Sequence, residues 1–273
     1  MAWDKFNTKF QQGTYMAGLE TAVGLGVVPN MSRGAIIGHA TGLAAGAVYD
    51  CYENASAVAR YPFSTTGVRL QVVSTSANDS AAGSGMRTVR IIGLDTNYNP
   101  MTETLTMNGT TPVLSTNTNW LRRNTFIGAT CGTPQLGNAG TITLSDAGGA
   151  NITHIMRVSN GVGNSFGSAA VYTVPDGFSA FINSRNASIE GGATPNAVIA
   201  LSTCTGGIAS GAPWVTSLRL NMTGSTPLQQ EISLGLLLPS RSDVSMRVMD
   251  VAQNNTEVCV AFQFILVNNT LLV

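Results

Sequence analysis

Gly163-Asn-Ser165-Phe-Gly167 has the glycine–serine spacing of a nucleophile elbow. A serine in that motif attacks only where a strand turns sharply into a helix and lifts the hydroxyl above a parallel sheet. It also needs a histidine to take its proton, and the chain has only His39 and His154. The residues that follow, Ser168–Pro175, read as a strand, so the motif reads as a loop and assigns no catalytic residue. Asp95-x-Asn97-x-Asn99 copies the first half of a calcium loop, but its sixth position is Pro100 and its twelfth is Thr106. A calcium loop needs glycine and a bidentate glutamate there, so a polar β-turn is expected instead. Asp79, close to Gly83 and Gly85, is expected to cap its own loop through backbone amides.

The remaining reactive side chains form no constellation. The two histidines make no metal motif, and His154, between Thr153 and Ile155, reads as a satisfied or exposed strand residue. Cys51, Cys131, Cys204 and Cys259 are far apart with no Cys-x-x-Cys, which argues against a zinc or redox site. They are expected to be buried thiols; Cys259, between Val258 and Val260, fits best, and the alternative is disulfides between subunits. Gly161-x-Gly163 opens no phosphate loop. Arg122 and Arg123 are consecutive in a strand, so alternation sends them to opposite faces, one of them pairing with an acid across the sheet. No enzyme activity, cofactor or metal is therefore expected.

The elements that would position these groups are strands. Candidates are Val68–Ser74, Thr88–Leu94, Glu103–Met107, Trp120–Ile127, Thr141–Leu144 and Ile152–Val158. After Gly167 they resume at Ala169–Val174, Phe178–Ile189, Ala197–Ser202, Val215–Met222, Gln230–Leu234, Ser245–Val248 and Glu257–Val267. Leu218, Leu220 and Met222 alternate with Ser217, Arg219 and Asn221, and Val258, Val260, Phe262, Phe264 and Leu266 share one face of the last strand. Asn108-Gly109 is a strong hairpin signal because both residues tolerate positive φ. Many short strands separated by Gly, Pro and Asn predict an all-β fold, an antiparallel β-sandwich or jelly-roll-like body of one large or two stacked lobes. The body is placed at 63–273, with a lobe boundary near 161–168. Residues 1–62 are read as an extended N-terminal arm, partly helical or irregular: Gly/Ala-rich from Gly13 to Ala59, with Trp3, Phe6 and Phe10 on one face of a short helix.

Charged residues make up only 10% of the 273, and the net charge is zero, against about 25% charged in ordinary globular chains. There is no basic stripe for a nucleic acid. No export signal is read in Met1–Tyr15, and the longest apolar tract, Gly34–Tyr49, is too short to span a bilayer. A surface with so little charge favours association.

Three segments carry a resemblance: Asp79 with Gly83-x-Gly85, then Arg87-Thr-Val-x-Ile-x-Gly-Leu-Asp95, then Glu103-Thr-x-x-x-Asn-Gly-Thr110. Together with Tyr172-Thr-Val-Pro-x-Gly177 and Ser242-Asp243 before a long closing strand, they make the chain resemble structural proteins of tailed-bacteriophage particles, over about Tyr61 to Val267. The resemblance implies a β-rich virion component assembled in the host cytoplasm. The expected role is a cement or decoration protein that locks neighbouring major capsid subunits, most often as a homotrimer. Trp3, Phe6 and Phe10 are then the docking arm, since aromatic anchors dominate interface energy. A neck, collar or tail component is the alternative, and a carbohydrate-binding attachment module, with Trp214 and Tyr98 as stacking candidates, is the third.

Overall fold

The computed structural model describes residues 19–133, 137–159, 161–191, 195–224 and 227–271. A short helix α1 (Leu19–Gly24) is followed by β1 (Met31–Leu43) and β2 (Tyr49–Asp50). Next come β3 (Leu70–Ser74), β4 (Met86–Asp95), β5 (Pro100–Thr106), β6 (Val113–Leu114), β7 (Trp120–Cys131) and β8 (Ile142–Asp146). The short strands β9 (His154–Met156), β10 (Val158–Ser159), β11 (Val162–Gly163) and β12 (Phe166–Gly167) complete the middle of the chain. The last group is β13 (Val171–Thr173), β14 (Phe178–Glu190), β15 (Asn196–Cys204), β16 (Val215–Thr223), β17 (Leu228–Leu238), β18 (Asp243–Val251) and β19 (Thr256–Asn268). The fold is nearly all β, and the strand pairs are antiparallel.

Two hydrophobic cores form. The first lies between a sheet ordered β1-β19-β14-β17 and one ordered β13-β18-β15-β16. Ile36, Ile182, Val258, Val260 and Phe262 meet Ile199, Leu201, Val244, Met246 and Val248 there. The inward face of β19 is the alternating set read from the sequence. The second core lies between sheets ordered β12-β7-β4-β5 and β6-β3-β8-β9. Val89, Ile91, Trp120 and Phe126 of one pack on Leu70, Val72, Ile142, Leu144 and Met156 of the other.

The middle of the chain is a guest within the first core. β2 pairs with β18 at Asp50↔Arg247 and Tyr49↔Val248, and β13 pairs along the same strand at Val171↔Ser245 and Thr173↔Asp243. Between them Cys51 N–H donates to Met246 O (2.9 Å) and Met246 N–H to Ala170 O (2.9 Å). Thus β2 and β13 line one edge of β18 as two halves of a strand, and the second core is built from the residues between the halves.

This arrangement corrects two expectations. Residues 31–50 are no irregular arm: they supply β1 and β2 of the first core. Their glycines hid the strand. A Cβ on Gly34 would lie 2.3 Å from Phe264 Cζ, and one on Gly38 would lie 2.4 Å from Cys51 O and 2.5 Å from Ala170 N. Side chains are excluded there by close packing, so strand propensity is low where a strand is required. Nor does Asn108-Gly109 close a hairpin, because β5 and β6 belong to different sheets. Gly109, at φ 61°, instead donates its N–H to Asp79 O (2.7 Å) and turns the chain from one sheet to the other.

Candidate functional site

At the junction of the two cores, arginines and aromatic rings stack in one continuous series. Arg247 Cζ lies 3.9 Å from the centre of the Trp214 ring. Trp214 packs on Phe63 at 5.5 Å between centroids. Arg122 Cζ lies 5.4 Å from the Phe63 ring and 5.7 Å from the Tyr98 ring, and Arg241 Cζ lies 5.5 Å from the same Tyr98 ring. Cations over aromatic faces are attracted by the ring quadrupole, more strongly when water is excluded.

Each arginine in the ladder also has its own aspartate. Arg247 Nε donates to Asp50 Oδ1 (2.8 Å) and Arg241 donates through Nε and Nη2 to both oxygens of Asp176 (2.9 and 3.0 Å). Arg122 donates through Nε and Nη2 to Asp243 (both 2.8 Å), a bidentate pair with both side chains buried. Asp243 further accepts the Thr173 hydroxyl and the Ile208 N–H (2.7 Å). Burial works against the charge on Arg122, yet the hydrogen bonds and charge of Asp243 leave its pKa above the ordinary arginine value. Arg122 lies on β7 and Tyr98 in the turn between β4 and β5, whereas Asp243 and Arg247 lie on β18, Arg241 just before it and Trp214 just before β16. The ladder therefore fixes how one core sits on the other.

Local structure brings Arg122 there. The β4–β7 pairing shifts register at Ile92/Gly93 and again at Leu94/Asp95. A Cβ on Gly93 would stand 2.0 Å from Arg122 O, so only glycine admits the irregularity. Arg122 and Arg123 are both buried, and each takes an acid of its own. Arg123 Nη2 donates to Asp146 (2.8 Å) and its Nη1 to Ser64 Oγ (2.6 Å). Tyr98 is set by the Asp95 turn: Asp95 Oδ1 accepts the N–H groups of Asn97 (2.8 Å) and Asn99 (2.9 Å), and Tyr98 sits at φ 65°. The Asp95-Asn97-Asn99 pattern is thus a turn that aims an aromatic ring.

A second polar cluster lies at the other side of the seam. His39 of β1 bonds through Nδ1 to Glu53 Oε1 (2.7 Å) and through Nε2 to Glu257 Oε1. Glu53 also accepts from Arg157 Nε, which comes from the second core. The carboxylates lie at opposite nitrogens of one ring and do not converge on a common point. Among the described residues no group of three or more His, Cys, Asp or Glu could hold a metal.

Other sequence candidates resolve individually. Asp79 is fully buried and accepts from Ser74 Oγ (2.5 Å), Met86 N (2.7 Å), Ala139 N (2.7 Å) and Gly140 N (2.9 Å). It caps its own loop and also holds the approach to β8, while Gly85 leaves the space its carboxylate fills. Ser165 sits at φ 53°, takes its place through Asn138 Oδ1 and Gly128 N, and leads into strand β12. His154 is neither exposed nor satisfied: it is buried beside Tyr61 and Phe126, and no described group meets its Nδ1. Burial, with Arg123 nearby, lowers its pKa to about 3. Cys51 and Cys204 are buried free thiols, but Cys131 and Cys259 are exposed, since Cys259 points away from the core side of β19. Tyr98 and Trp214, the stacking candidates for a sugar, are both taken up in the ladder. Trp3, Phe6 and Phe10 lie outside the described residues.

The outer face of the β1-β19-β14-β17 sheet is partly covered. Ala22 and Val23 of α1, with Val28, pack on Ile265 and Val267. Beside them a hollow of about 590 Å³ is lined by residues including Val23, Met31, Arg33, Ala35 and Gln263. Ile37 and Leu237 remain exposed at 45% and 52%.

No protein-family model matches the chain, and no curated protein does. Among solved structures it is similar to the infectious bursal disease virus Gx strain structure, at 8% identity and a TM-score of 0.24, over 88% of this chain and 73% of that one. The infectious bursal disease virus VP2 subviral particle is another, at 10% identity and a TM-score of 0.17, over 96% and 77%.

Proposed function

We propose that the chain is a structural subunit of a virus particle whose work is association rather than turnover. The observation that carries this reading is strand order. A sheet ordered β1-β19-β14-β17 beside one ordered β13-β18-β15-β16 supports reading this half as an eight-stranded jelly roll of two Greek keys, an architecture used by viral capsid proteins, lectins and cupins. Fold alone does not set function. The choice among these rests on the low content of charged residues and on the phage-like motifs, which include the Asp79 loop and the Asp95 turn.

Within that reading the role is a cement or decoration protein, acting as a homotrimer on the major capsid protein. A standard interface buries about 1,600 Å², and several weak contacts engaged together gain from high effective concentration. The ladder suits this work because it presents the second core at a fixed angle. Trp3, Phe6 and Phe10 are the proposed anchors. A neck, collar or tail subunit is the alternative placement. Quantitative mass spectrometry of purified particles of the encoding virus tests the proposal. Copies in the hundreds, matching the capsomers, are expected; about a dozen copies moves the protein to the neck or tail, and absence from particles overturns the virion reading. Binding of the purified protein to a glycan array would favour the lectin use of the fold.

A further inference from the structure

We infer that His39, held between Glu53 and Glu257, is a proton-operated latch that fastens β1 both to the start of β19 and, through Glu53 and Arg157, to the second core, and that on the alkaline side it lets go of Glu257. The inference is independent of which assembly the protein joins. Its basis is geometric: one imidazole meets a carboxylate at each ring nitrogen, and only the doubly protonated ring can donate to both. Glu53 is buried, with its side chain 4% exposed, and is also held by Arg157, whose Nη2 donates to Glu53 O (3.2 Å). Glu257 is 42% exposed. When the ring loses a proton, Nδ1 keeps its hydrogen for the buried partner, and Nε2 turns a lone pair toward Glu257, which can swing into water.

The surroundings sharpen the response. On β19, Cys259 stands opposite His39 in register, and on β14 Glu190 stands opposite Glu257. Cys51, after β2, is a fully buried thiol whose pKa burial pushes well up, so it stays uncharged through the neutral range. His39, Arg157, Glu53 and Glu257 balance while the ring is protonated; deprotonation leaves an excess negative charge facing Glu190. The hydrogen bond that His39 donates to Glu53, against the opposing effect of burial, raises the His39 pKa from its ordinary 6.5. The latch is therefore complete below pH 6.5 and is lost as pH rises through the raised value. The β1–β19 ladder is already irregular at this end, with a register shift between Ala40 and Leu43, so β1 can part from β19 locally.

Amide hydrogen exchange of the whole chain from pH 6 to 9, corrected for intrinsic rate, tests this. Protection over residues 31–43, relative to β8 in the second core, should fall by up to about tenfold per pH unit between 6.5 and the raised pKa. The step should vanish in His39→Gln and shrink in Glu257→Gln, an exposed substitution that leaves the buried Glu53–Arg157 pair in place. A wild-type profile with no step, or a step equal in wild type and both variants, overturns the proposal.

Discussion

Asn124 and Thr173 exchange two hydrogen bonds across the boundary between the cores: Asn124 Nδ2 donates to Thr173 O and Thr173 N–H donates to Asn124 Oδ1, both at 3.0 Å. A side chain of β7 thus completes the edge of β13 as a neighbouring strand would. Beside it Arg122 grips Asp243, so the contact is polar, buried and directional. Buried ion pairs add little net stability compared with apolar packing, but losing one partner is costly.

Asp243→Ala should destabilise by about 3–5 kcal/mol, because Arg122, Thr173 and Ile208 all lose their acceptor. Arg122→Met combined with Asp243→Leu should cost less than the sum of the two single changes. Urea denaturation followed by tryptophan fluorescence measures both. Additive costs would show that the pair is not coupled.

His154 predicts acid sensitivity. Its pKa falls to about 3 in the folded chain, from an ordinary 6.5. A group held neutral by folding contributes stability that is present above pH 6.5 and is lost as pH drops below it, by up to about 1.4 kcal/mol per unit. His154→Leu should flatten the stability profile between pH 6.5 and 4. An unchanged acid slope in that variant would assign the loss to other groups. His39 acts with the opposite sign, so stability narrows from both directions.

Glycines test the packing of β1. Gly38→Ala should cost about 1–3 kcal/mol by overpacking, since its methyl would press on the backbone at Cys51 and Ala170. Gly24→Ala, at the end of α1 with nothing within 4 Å of its Cβ, should be neutral or stabilising by about 0.5–1 kcal/mol. Thermal melts of the two variants compare them directly.

Deleting residues 1–15 should leave both cores folded and abolish incorporation into particles, checked by circular dichroism and by co-sedimentation. A truncated chain that still joins particles removes the docking role from Trp3, Phe6 and Phe10.

What could be read in advance followed distance along the chain. Alternation in β14 and β19 is local, so strands over Phe178–Ile189 and Glu257–Val267 were legible. So were the Asp95 turn and the local half of the Asp79 cap, made with Ser74 and Met86, but not its bonds from Ala139 and Gly140, 60 and 61 positions on. β1 was not, because Gly34 and Gly38 answer to Phe264, Cys51 and Ala170, none of them near in sequence. The ladder was hidden for the same reason: Arg122 meets Asp243 across 121 positions. Alternation alone could not foresee that both arginines would be covered, because the partners that cover them, Asp243 and Asp146, lie 121 and 23 positions away.

Ala170 N–H donates to Cys51 O at 2.8 Å, so the entry and exit of the guest segment touch. A segment joined to its host at two adjacent points can be lengthened, shortened or exchanged without moving any other strand of the host. Host and guest are therefore free to diverge at different rates, much as a common handle accepts different blades.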